Sequence, residues 1–168
     1  PAGRRIRPGG KGLKLTMARA AIIVARLIFA GVFFMSAAFK FWLMGMDATA
    51  AQIAGAGFPY PMFLAWVAAF FEVALGIGFL VGLYFSEVAV ISAIYILFLG
   101  VTFHGPSKWT GNPMEFGFFV DHFTFIAGLL FAAVHGPGDM MVLRVNRDGQ
   151  KTNHQDRIQG EEEWQATS

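Results

Sequence analysis

The 168 residues contain no cysteine, which excludes disulfides, thiolate-held metals, iron–sulfur clusters and dithiol relay chemistry. Charge is scarce as well. Only 14% of the residues are Asp, Glu, Lys or Arg, against 55% hydrophobic, and the mean hydropathy of +0.53 lies outside the balance of a soluble domain. The short alternating segments of a membrane β-barrel are missing. So are a nucleophile triad, a phosphate loop and a nucleic-acid module, which points away from an enzyme of those kinds. What remains is an all-α integral membrane protein, rich in phenylalanine with nineteen.

Long apolar runs fill that frame. The most telling is Met62 to Leu83, about 33 Å of helix, enough to cross a bilayer's hydrocarbon core. Ala20 to Met44, Val88 to Phe103 and Phe116 to Val134 supply three more spans, with an interfacial helix expected over Ala48 to Ala54 before the break at Pro59. Organisation follows from these runs: a basic N-terminal tail over 1–17, a four-helix membrane domain over 18–135 and a polar C-terminal tail over 136–168. Val142 to Asn146, ahead of Asp148-Gly149, suggests a hairpin within that tail, and Glu161 to Glu163 a solvated acidic end. Met17-Ala18 reads as a translation start, with the residues before it either an expression scar or an upstream extension.

Charge asymmetry orients the bundle. Arg4, Arg5, Arg7, Lys11, Lys14 and Arg19 precede or open the first span, and Arg144, Arg147, Lys151 and Arg157 follow the last, whereas the other side offers Lys108. Both termini are therefore expected in the cytoplasm of a bacterial inner membrane, with the N-terminal tail on anionic lipid. Trp42, Trp66 and Trp109 then fall at the outer interface as anchors.

Ionisable residues inside the spans mark functional ground. Counting depth from the expected boundaries puts Arg26 about 9 Å above the inner surface and Glu72 about 15 Å below the outer one. That leaves a gap a guanidinium stretching upward can close, so Arg26 and Glu72 are expected as a buried ion pair and polar centre. Such a pair either fixes helix register or serves a quinone headgroup or a proton step. Lys40, His104, Asp121 and His122 form an expected outer polar cluster, with Lys40 reaching Asp121. His104 and His122 as axial haem ligands are disfavoured by an expected depth difference of about 9 Å. His104, Glu115, Asp121 and His122 have metal-ligand chemistry but no diagnostic spacing, so no metal is assigned.

Four segments carry a family resemblance: R-L-I-F-A-G-V-F-F-M-S-A-A-F-K (Arg26 to Lys40), G-F-P-Y-P (Gly57 to Pro61), F-F-E-V-A-L-G-I-G-F-L-V-G-L (Phe70 to Leu83) and F-H-G (Phe103 to Gly105). Together they resemble the DoxX family of small four-helix membrane proteins, over roughly Ala20 to Val134. The resemblance implies recurring polar positions at Arg26, Lys40 and Glu72. Departures occur where the family's fourth helix carries Lys followed by Asn or Asp, here Val120-Asp121-His122, and where Thr-Arg follows the second helix, here Ser86-Glu87. Some relatives are subunits of quinone-linked sulfur or terminal oxidase systems. The expected role is thus a non-catalytic accessory subunit of a larger membrane oxidoreductase complex, with no intrinsic cofactor. The alternatives are a quinone-linked redox subunit and a lipid-binding or carrier bundle, with quinone, pigment or lipid against the aromatic helix faces.

Overall fold

The computed structural model describes residues 9–138; the expected hairpin at 142–146 and the acidic run at 161–163 lie outside them. Helix α1 covers Gly9–Ala38 and runs on into one π-helical turn, Phe39–Leu43, closed by the Met44 N–H donating to the Phe39 carbonyl at 2.7 Å. It starts well before the expected span because Lys14, Leu15, Met17, Ala18 and Arg19 are favourable helix formers. Extending an existing helix by a turn or two also costs little.

Four further helices follow. They are α2 (Met46–Gly55), α3 (Pro61–Val81), α4 (Phe85–His104) and α5 (Pro113–His135), with a 3₁₀ turn at Pro106–Lys108. Proline opens α3 and α5, where its missing N–H deprives the helix of nothing. Four segments, Lys14–Leu43, Pro61–Val81, Phe85–Lys108 and Pro113–His135, are long and apolar enough to cross a membrane. No strand occurs among the described residues.

The helices associate as two antiparallel pairs, α1 with α3 and α4 with α5, while α2 packs on α3. Sequence spacing explains the first pair. On α1 the buried residues are Arg26, Ala30, Phe33 and Ala37, and on α3 they include Ala65, Ala69, Glu72, Gly76 and Phe79. Both sets advance by alternating threes and fours, the repeat that keeps one seam facing a partner helix. Phe33 stacks on Phe79 at 5.9 Å between ring centroids, which sets the register. A side chain at Gly76 would place its Cβ 2.8 Å from the Phe34 ring, so only glycine lets the helices come this close.

One apolar core of Ala30, Phe33, Leu75, Phe79, Phe85, Ala89, Ala93 and Leu129 draws on all four long helices. It fills the half of the bundle where α3 ends and α4 begins, here called the lower half. A smaller core, Ala50, Ile53 and Ala65, ties α2 to α3 near the opposite, upper end. Polar chemistry gathers between these two packed regions.

Candidate functional site

Register decides which ionic groups meet. Counting seven residues up from the Phe33–Phe79 stack arrives at Lys40 on α1 and at Glu72 on α3. The Lys40 ammonium lies 2.8 Å from each carboxylate oxygen of Glu72 and donates to Ser36 Oγ at 2.9 Å. Tyr95 of α4 donates its phenolic proton to Glu72 Oε1 at 2.9 Å. Glu72 is 1% exposed and the Lys40 side chain 19%. A carboxylate at this depth thus receives a full countercharge and a hydrogen bond from a third helix, the condition for keeping it charged away from water.

The pairing of Glu72 with Arg26 expected from depth is therefore corrected. Arg26 sits one heptad below the phenylalanine stack, at the C-terminus of α3. Its Nε donates to the Phe79 carbonyl at 3.2 Å, one terminal nitrogen to Leu80 at 2.9 Å and the other to Pro137, beyond α5, at 3.4 Å. These acceptors include carbonyls that a helix end leaves without intrahelical donors. The physical reason lies in side-chain direction. Helical side chains lean toward their own N-terminus, so Arg26 bends down, away from Glu72, while Lys40 bends down and Glu72 up, toward one another.

Gly82 completes the lower site. It ends α3 in the left-handed region at φ 67°, its N–H donating to the Gly78 carbonyl at 2.9 Å. A Cβ there would stand 2.7 Å from an Arg26 terminal nitrogen. Glycine is required twice over, by backbone and by space.

Above the Lys40–Glu72 pair opens a cavity of about 860 Å³. Phe39, Leu64, Val67, Ala68, Phe71, Phe98, Leu99 and Phe103 give it apolar walls. Lys40 and Tyr95 line it as well, so the ion pair forms its polar edge. Its size falls in the range of small-molecule sites, and apolar walls with a few convergent polar groups are the usual composition of such sites.

A second polar group shares the cavity. His104 Nδ1 meets Glu115 Oε2 at 2.7 Å, linking the end of α4 to the start of α5, and His122 Nδ1 meets the Phe118 carbonyl at 2.6 Å. The two imidazole rings stand 5.1 Å apart. The expected depth difference of about 9 Å overstated their separation, again because each side chain leans toward its own helix N-terminus and α4 and α5 run in opposite directions. Gly100 permits the approach, since a Cβ on it would lie 3.0 Å from the His122 Cβ.

Asp121 takes no part. It is exposed on α5, and the reach of Lys40 toward it is corrected by the bond to Glu72. No group of three His, Cys, Asp or Glu among the described residues is placed to hold a metal ion. Trp42, Trp66 and Trp109 share the upper end. Trp66 and Trp42 both contact Phe41, and Trp109 donates to the His104 carbonyl at 2.8 Å while packing on Phe116 and Phe119.

Tyr95 and Ser36 escaped the sequence reading of this site. One signal pointed to Tyr95: of three tyrosines, Tyr60 and Tyr84 stand at helix boundaries and Tyr95 lies in the middle of a span. Ser36 carried a fainter one, lying four residues before Lys40 on the same helical face.

Among known proteins, the family model described as DoxX matches residues 21–105, half of the chain. That stretch holds Arg26, Lys40, Glu72, Tyr95 and His104. No curated protein and no solved structure gives a significant match.

Proposed function

This chain belongs to the DoxX family of membrane proteins, and from that premise we propose that it is a non-catalytic binding subunit of the bacterial inner membrane. It holds an elongated apolar ligand of the lipid or quinone class in the cavity beside Lys40, Glu72 and Tyr95, as a companion of a larger oxidoreductase assembly. The observation that carries this reading is the cavity itself: about 860 Å³ of largely apolar space edged by Lys40 and Tyr95, both bound to the buried Glu72 carboxylate. An ion pair serving only to fix helix register needs no such space beside it.

Extraction in mild detergent followed by mass spectrometry of the bound lipids is the test. A ligand retained in near one-to-one amount is expected, and Ala68→Trp, which fills the cavity from α3, should displace it. A wild-type chain that purifies empty and takes up no added quinone or lipid would remove the binding role.

The companion role draws on a separate observation. Phe41, Trp66 and Phe70 contact one another at 5.8 Å, beside a Trp42 that is 77% exposed. Aromatic groups already ordered on a surface lose little freedom when a partner helix covers them. Stoichiometric companion chains should co-migrate in the same purification, and a reporter fused after Ser168 should be active on the cytoplasmic side.

A further inference from the structure

We infer that the cavity selects a ligand whose head group donates hydrogen bonds, a long-chain alcohol or phenol, over the matching carbonyl or ether; this rests on the binding role proposed above. For a quinone-type ring the preference is for the reduced dihydroxy form over the oxidised dicarbonyl.

The argument is an inventory of protons. Lys40 has three N–H groups and three acceptors within 2.9 Å, Ser36 Oγ and the two Glu72 oxygens, so none remains for a ligand. The Tyr95 proton goes to Glu72 Oε1, leaving the phenolic oxygen as an acceptor. Thr49 spends its proton on the Gly45 carbonyl. His122 faces a carbonyl through Nδ1, and a carbonyl can only accept, so the hydrogen of the neutral ring sits on Nδ1 and Nε2 is a bare acceptor. His104, with Nδ1 on the Glu115 carboxylate, holds the same tautomer whenever its ring is neutral.

All of these residues line the cavity or, like Glu72 and Ser36, hold a proton of one that does. The remaining donors in the lining are side chains exposed at the rim: Gln52, and Lys108, whose ammonium lies 6.0 Å from the Phe103 ring centroid. Deeper in, the half-buried Tyr95, His104 and His122 offer lone pairs. An ether or ketone oxygen placed against them meets acceptor with acceptor, whereas a hydroxyl gives one of them the proton it lacks.

Uptake of 4-nonylphenol and of its methyl ether by the intact chain in lipid nanodiscs tests this, measured by equilibrium dialysis against empty nanodiscs at pH 8, where an ordinary imidazole is neutral. The phenol is expected to bind about tenfold more tightly. His122→Phe keeps the Cβ that packs on Gly100 and should bring the ratio toward one. His104→Phe asks the same question without disturbing that contact. Equal uptake of the two probes, or preference for the ether, overturns the donor rule and leaves the binding role standing. Uptake of neither above the empty nanodiscs overturns both.

Discussion

Two cations on the seam formed by α1 and the π-helical turn that continues it are held in different ways. Arg26 and Lys40 stand fourteen residues apart, four turns of helix. Arg26 is 3% exposed and spreads its planar fork over backbone carbonyls of α3 and the segment after α5. Lys40 concentrates a point charge on one carboxylate at the edge of a cavity. The lower site satisfies helix ends that any such bundle must satisfy. The upper site introduces a second buried charge the fold did not need, since two apolar side chains would pack there without the cost of desolvation. On the binding role proposed above, that contrast separates a site that closes helix ends from one that borders a cavity.

Breaking the contrast should show most clearly at Glu72. Glu72→Ala leaves Lys40 uncompensated and is expected to cost about 3 kcal/mol or more, read by thermal unfolding in detergent. Lys40→Met combined with Glu72→Met should instead unfold within about 1 kcal/mol of wild type while lowering the preference for the phenol over its ether, since Tyr95 is then free to donate. Were the double variant as unstable as Glu72→Ala, the pair would be structural and the two sites alike.

Smaller effects sharpen the lower site. Gly82→Ala meets both a strained backbone and the Arg26 guanidinium, so a loss of about 2 kcal/mol in the same unfolding experiment is expected. Arg26→Lys keeps the charge and loses the fork, with an expected cost of about 1 kcal/mol and no change in ligand uptake. Tyr95→Phe, which removes one hydrogen bond from Glu72, should cost about 1 kcal/mol or less and lower uptake, placing its main effect in the cavity.

Much of the architecture was legible beforehand because hydrophobic length is a local property. Four spans and the short helix before α3 follow from runs of apolar residues and the prolines that bound them, with ends displaced by a turn or less except at α1. There, basic residues assigned to the N-terminal tail are carried into the helix from Gly9. The seams were also written in the chain, since Arg26, Phe33 and Lys40 on α1 and Glu72 and Phe79 on α3 repeat at seven-residue intervals. Read together, those intervals align Lys40 with Glu72. Depth counted from assumed membrane boundaries does not, because it ignores the lean of each side chain.

From its residues alone this protein is determined to be a helical membrane bundle carrying a few costly ionic groups, since the cost of charge in lipid depends on residue type and depth and not on neighbours. Which of those groups face one another was decided only by tertiary structure. A helix offset by one heptad exchanges every partner along a seam at almost no change in apolar burial. Here the stacked Phe33 and Phe79, with the glycines at 76 and 100 where other helices press close, set which pairs form and leave the space between them open.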